Sequence, residues 1–173
     1  FIVLVGYATY LRWKYKWLMA YSVVVSTVFV LVNLLKPEIH TTNLMPALQS
    51  IWFVPHVTVY ILSYAIMGAA TIAALIALWR EEGKEGELFD LIDNLIFIGF
   101  GFLIAGMLMG AIWAKEAWGD YWTWDPKEVW AFITAASYLV YLHASYANIP
   151  KRKALVIIPL AFIMLMITWL GVE

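Results

Sequence analysis

The sequence contains no cysteine, which removes disulfides, thiolate metal ligands and thiol relays from the chemistry open to it. Charge is scarce as well. Asp, Glu, Lys and Arg make up 13% of the 173 residues, whereas hydrophobic residues make up 64%. A chain this apolar cannot present an ordinary water-facing surface, so the bilayer must be its solvent. The 11 basic residues form no stripe and sit beside the apolar runs, which excludes a nucleic-acid surface and makes their distribution a matter of topology. There are no internal repeats or low-complexity tracts, and no acid–base triad can be picked out. Phe1–Tyr10 begins inside an apolar run without an initiator Met or a signal-peptide layout, and the chain stops at Gly171, Val172 and Glu173; both ends read as cuts from a longer polypeptide.

What the chain does have is a series of apolar runs of about 18 residues or more, the length that crosses ~30 Å of hydrocarbon. Phe1–Leu11 reads as the end of one span and Trp17–Leu35 as a complete one. Ile51–Trp79 spans with tilt or opens with an interfacial turn near Pro55, and Ile92–Trp113, Val129–Ala147 and Ala154–Leu170 follow. The expected fold is all-α, a polytopic transmembrane helix bundle of about five to six spanning helices, forming a single membrane domain over residues 1–173. Positive charge accumulates on the cytoplasmic side. One set of alternate loops (Arg12, Lys14, Lys16; Arg80, Lys84; Lys151, Arg152, Lys153) holds eight basic residues, and the other (Lys36, Lys115, Lys127) holds three. The first set is expected inside; Lys36–Ser50, Lys115–Lys127 and the C-terminal end then face outward. The acidic stretch Glu81–Leu91 reads as a solvated cytoplasmic turn.

One outward segment carries unusual composition. From Trp113 to Trp130 the chain reads WAKEAWGDYWTWDPKEVW, with five tryptophans (Trp113, Trp118, Trp122, Trp124 and Trp130). Tryptophan belts at the headgroup level are common, but a belt has no use for Gly119, Asp120, Asp125, Pro126 or the Lys127–Glu128 couple. A shelf of flat apolar faces broken by turn residues suits a large planar hydrophobic ligand at the water boundary. Asp125 also fits an N-cap, Pro126 the first helical turn and Glu128 the positive end of the helix dipole. His56 lies near the outer end of the third run. A lone histidine in an apolar helix is often a packing residue, yet beside such a shelf its imidazole supplies what a haem iron needs. His143 lies near the inner end of its helix, where a ligand role and snorkelling to the headgroups both remain open. His40 sits in a loop after Pro37 and is read as incidental.

The run WGDYWTWDPKEVW resembles the tryptophan-rich WWD signature of haem-handling proteins, and its DPKEVW continuation is similar to the CcsA/ResC-type family of System II cytochrome c biogenesis. LMPALQSIWFVPHVTVYILSYA, IGFGFLIAGMLMGAIWAKEAW and AFITAASYLVYLHA resemble the family's flanking segments, so the likeness covers Leu44 to Ala144. The related System I proteins share the WGxxWxWD core but diverge after the Asp. The resemblance implies a component of a cytochrome c haem lyase, or synthase, that binds haem b. His56 would be an external axial ligand, and His143 an axial ligand of an inner site completed by a CcsB/ResB-type membrane partner, separate or fused. Trp118, Gly119, Trp122, Trp124 and Asp125 would form the haem-binding signature. The family's second external histidine would follow a further span, beyond a segment like Thr168–Val172. The substrate would be an apocytochrome c with a CxxCH motif, and the location a bacterial cytoplasmic membrane, with a thylakoid the less favoured choice; lipid would surround the bundle and no nucleic acid would bind. Two rival readings stay open. One is a haem exporter or chaperone without synthase activity, and the other a non-haem structural subunit or transporter whose tryptophans are only a belt.

Overall fold

Proline and glycine set where the helices start, stop and touch. In the computed structural model, which describes residues 2–35, 46–80, 86–147 and 149–171, every regular element is helical. Lys36, His40 and Lys84 lie outside these residues. Two compact units divide the chain, residues 1–49 and 50–173.

The first unit is a helical hairpin, α1 (Ile2–Trp13) and α2 (Lys16–Leu35), followed by a 3₁₀ turn at Pro46–Gln49. The reversal is tight because Lys14 adopts a left-handed conformation (φ 59°) and donates its N–H to the Tyr10 carbonyl at 2.7 Å. Gly6 lies against Ser22 so closely that a Cβ there would sit 2.2 Å from the hydroxyl oxygen. That hydroxyl turns back to donate to the Met19 carbonyl. Most of α2 beyond this contact is exposed apolar surface, as expected of a lipid-facing helix.

The second unit contains α3 (Phe53–Trp79), α4 (Gly86–Trp118), α5 (Pro126–Tyr146), α6 (Lys151–Ala154) and α7 (Ile157–Met166), the last continuing as a π-helical turn to Gly171. Pro55 falls in the first turn of α3, where its missing N–H is not needed. Helix α4 is longer than the apolar run that announced it. Its first turns, from Gly86, include part of the stretch read as a solvated turn, because Leu88 and Leu91 bury one face there at 2% and 0% exposure. Pro159 accounts for the interruption between α6 and α7: it cannot donate to the Leu155 carbonyl, and the helix breaks at Leu155–Val156.

Helices α3 and α4 form the largest interface. Small residues make it possible, as is general where lipid removes the hydrophobic drive between helices. A Cβ on Gly99 would lie 3.1 Å from Ile66 and Met67, and one on Gly106 would lie 3.2 Å from the Tyr60 ring. On the other side stand Ala70, Ala73, Ala74 and Ala77, all with no exposure, and buried Ser63 donates to the Gly99 carbonyl at 2.8 Å.

Among the described residues, four helical stretches, Lys16–Leu35, Phe53–Trp79, Leu88–Trp118 and Lys151–Gly171, are long and apolar enough to cross a bilayer. Helix α5 has the length, 21 residues, but carries hydroxyls on its buried face: Thr134, Tyr138 and Tyr141. At the basic end of this unit, Asp93 gathers three elements. It pairs with Lys151 and accepts from Tyr141 at 2.7 Å and Ser145 at 3.2 Å. Arg152 donates to the Leu78 and Arg80 carbonyls, closing the end of α3. The polytopic all-α membrane bundle expected from the sequence is the fold observed.

Candidate functional site: an aromatic pocket beside His56

At the opposite end of the second unit, Ser50 donates to the Glu116 carboxylate at 2.5 Å and accepts the Trp52 N–H, tying the entry of α3 to the last turns of α4. His56, Tyr60 and Tyr64 recur every four residues and share one face of α3. The imidazole Nδ1 of His56 lies 2.8 Å from the Gly106 carbonyl oxygen. A carbonyl only accepts, so Nδ1 carries the proton and the lone pair is left on Nε2, which has no hydrogen bond among the described residues. Gly110 makes room for the ring: a Cβ there would lie 2.6 Å from Cε1. Trp113 stacks on the imidazole at 5.9 Å and 15°, and Tyr60 meets it edge-on at 4.8 Å.

The loop after α4 is shaped by two left-handed residues. Gly119 (φ 96°) closes the helix, its N–H bonding the Lys115 carbonyl, as C-terminal caps require. Trp124 (φ 60°) is a bulky residue in a region that costs such residues on the order of 1–3 kcal/mol. Glu128 holds it there, since its carboxylate accepts from the amides on either side, Thr123 at 2.7 Å and Asp125 at 3.3 Å. Asp125 returns the contact by accepting the Glu128 N–H at 2.8 Å, completing the capping box at the start of α5 with Pro126 in its first turn. The N-cap and first-turn roles expected of these residues are thus present.

Loop and helices enclose a cavity of about 460 Å³. That lies within the roughly 300–1,000 Å³ usual for cofactor and ligand sites. His56, Trp118, Trp122 and Asp125 line it together, along with Trp113 and Lys127. Trp124 does not: it is 66% exposed, with its ring against Trp122 at 5.8 Å and Phe132 at 6.3 Å. Gly119 acts through the turn it makes. Buried Trp122 Nε1 has no acceptor among the described residues. Tyr60, Tyr64, Thr168 and Trp169 also line the cavity and were not anticipated. The four-residue spacing of the tyrosines from His56 would have revealed them. Thr168 and Trp169 left no such signal, because they arrive from α7 through its π-widened end, a feature often found at functional sites.

His143 is placed elsewhere. It stands exposed on α5, its Nδ1 2.8 Å from the Leu139 carbonyl of its own helix. With Ala136, Val140 and Ala144 it lines an open apolar groove of about 540 Å³ on the outside of the unit.

The chain matches the cytochrome c assembly protein family over residues 1–173. It is 39% identical over 156 residues to the cytochrome c biogenesis protein CcsA of Chlamydomonas reinhardtii, an alignment covering 84% of this chain and 44% of the relative. Identity to CcsA of Atropa belladonna is 34% over 176 residues, covering 79% and 56%, and to CcsA of Cuscuta reflexa 33% over 165 residues, covering 75% and 54%. The chain spans about half the length of the curated relatives it matches. A membrane helix bundle, a tryptophan-rich loop and this match from end to end lead to one conclusion: the chain belongs to the cytochrome c assembly protein family, as a protein of CcsA type.

Proposed function

We propose that the protein binds haem in the His56 pocket and presents it for covalent attachment to apocytochrome c, as a component of a System II cytochrome c synthase. The observation that carries this reading is the His56 ring. One nitrogen is fixed on the Gly106 carbonyl, and the other is left free on the wall of a tryptophan-lined cavity. An oriented imidazole whose second nitrogen is held by a backbone carbonyl is what an axial ligand requires. The flat faces of Trp113, Trp118 and Trp122 on the wall of the same cavity fit a planar apolar ligand.

Haem supplies the vinyl groups that form thioethers with the cysteines of a CxxCH motif, and the contribution of this chain is position. His56 would hold the iron, and Trp113, stacked on the imidazole, keeps its plane from turning. Trp118 and Trp122 offer flat apolar faces that exclude water. Glu128 and Asp125 keep the loop in the shape that places them. Orientation of two reacting groups by itself supplies a large part of such an acceleration. His143 is proposed as a ligand of a second, inner haem; its exposed position on an apolar groove fits a site completed by a CcsB/ResB-type partner in the membrane. The membrane is proposed to be the bacterial cytoplasmic membrane with the pocket outward; a thylakoid has the same sidedness, and membrane fractionation distinguishes them.

The test is an absorption spectrum of the intact protein, purified with its partner from haem-sufficient cells, in oxidised and reduced forms. Haem that is lost or changes coordination in His56→Ala supports the outer site, and a separate effect of His143→Ala supports the inner one. Wild-type protein without haem, together with unaltered cytochrome c maturation in both variants, would return the tryptophans to a membrane belt.

A further inference from the structure

His56 stands in the first turn of α3, where a helix is least held. The first four amides of a helix have no partner within it. Trp52 at the N-cap offers no side-chain acceptor, and Pro55 brings no N–H. The backbone of His56 is held instead through a chain of three hydrogen bonds. Its N–H donates to the Trp52 carbonyl at 3.0 Å, the Trp52 N–H donates to the Ser50 hydroxyl oxygen at 3.1 Å, and that hydroxyl donates to the Glu116 carboxylate of α4 at 2.5 Å. The Phe53 N–H also donates to the Ser50 carbonyl, at 3.2 Å.

This chain ends on the same helix that seats the imidazole. Along one antiparallel seam Ser50 meets Glu116, Phe53 meets Trp113 at 5.6 Å, and His56 meets Gly110 and the Gly106 carbonyl. Further along α3 the seam is pinned by Ser63, which donates to the Gly99 carbonyl at 2.8 Å. Before His56 the polar tie is the one between Ser50 and Glu116. Without the carboxylate, water satisfies the Ser50 hydroxyl but leaves the first turn of α3 untied from α4. An uncapped terminal turn opens more readily than the body of a helix, and opening there carries the backbone of His56 away from a seat that stays with α4.

We infer that Glu116 and Ser50 are positioning residues for the iron ligand, a clasp that keeps the first turn of α3 on α4 so that His56 Nε2 holds one direction. This rests on the haem reading above and adds to it: Gly106 fixes the imidazole ring, and the clasp fixes the backbone that carries it. An axial ligand has to be held within about 0.5 Å by the groups behind it, and loss of such support weakens the metal bond although no ligand atom has been removed. Ser50 and Glu116 are not among the residues that line the cavity. Their effect therefore belongs in the strength and uniformity of the iron–imidazole bond, and not in contact with the porphyrin.

The experiment takes the intact protein with its partner in detergent, stripped of haem, and follows hemin binding through the Soret band. Glu116→Ala and Ser50→Ala are each expected to weaken binding about fivefold, the scale of one net hydrogen bond. The double variant is expected to lose no more than either alone, because the two side chains form a single tie. Glu116→Gln keeps a carbonyl oxygen for the Ser50 hydroxyl and is expected to retain most of the wild-type affinity. The ferric EPR signal of the bound haem, which reports the orientation of the axial imidazole, is expected to broaden in the alanine variants and to stay sharp in Glu116→Gln. Wild-type affinity and an unchanged EPR signal in alanine variants that circular dichroism shows to be folded overturn the clasp. Losses that add in the double variant overturn it too, as does a Glu116→Gln variant that behaves like Glu116→Ala. Weaker binding that follows a lowered melting temperature while the EPR signal stays sharp assigns the pair to stability alone, against the inference. Wild type that binds no hemin overturns the haem reading itself.

Discussion

The imidazole of His56 is held by one atom and seated by the absence of another. Its Nδ1 is fixed on Gly106, and its ring occupies the space that a side chain at position 110 would fill. Gly110→Ala is therefore expected to push the ring off its carbonyl, weakening haem binding in a Soret titration, with a loss of stability of about 1–3 kcal/mol from overpacking. Tyr60→Phe keeps the edge contact with the imidazole and serves as the matched control. Glu128 works at the same scale. It holds the amides on both sides of Trp124, so Glu128→Ala is expected to cost about 1 kcal/mol in thermal unfolding through loss of the reciprocal cap. The same change should broaden tryptophan fluorescence as the loop loses its set conformation, whereas Glu128→Gln keeps much of both.

Among the elements, α3 and α4 carry the site between them, His56 on one and its carbonyl partner and seat on the other. Their separation is set by Gly99 and Gly106, and a leucine at position 99 would drive Ile66 and Met67 outward. Gly99→Leu is expected to lower the melting temperature and to weaken haem binding at His56, although the site is several turns away; unchanged binding in a folded variant would show that the helix spacing tolerates the insertion. At the other end, Asp93 joins α4 to α5 and α6 through Tyr141, Ser145 and Lys151. Removing one member of such a cluster leaves the others unsatisfied. Asp93→Asn is expected to destabilise by about 1–3 kcal/mol, and a double-mutant cycle with Lys151→Met should show a coupling energy clearly different from zero.

On the scale of the whole molecule, the uneven sharing of basic residues between alternate loops leads to the expectation that the tryptophan loop lies on the outer face. The chain is free of cysteine, so a single introduced thiol reports its own side without background. A membrane-impermeant maleimide should label Asp120→Cys in intact spheroplasts and Lys153→Cys only after permeabilisation. The reverse pattern would invert the topology and put the pocket on the wrong side for an exported cytochrome. The aromatic cavity and the His143 groove lie toward opposite ends of α5, the placement that the proposed outer and inner haem sites would need.

The helical membrane fold, the order of its spans and the exceptional character of residues 113–130 were legible in the sequence, because hydropathy, chain length and loop charge act locally and the bilayer admits few solutions. The caps at Asp125, Pro126 and Glu128 were legible for the same reason, since a helix start is decided within four residues. The tertiary structure alone decided that His56 sits on Gly106 and Gly110, that Trp124 leaves the pocket while Trp122 enters it, and that Thr168 and Trp169 complete the wall. It also decided that Leu88 and Leu91 extend α4 into a stretch whose acidity reads as loop. Each of these depends on which helix faces lie together and how closely, and contacts between residues distant in the chain leave no periodicity to read.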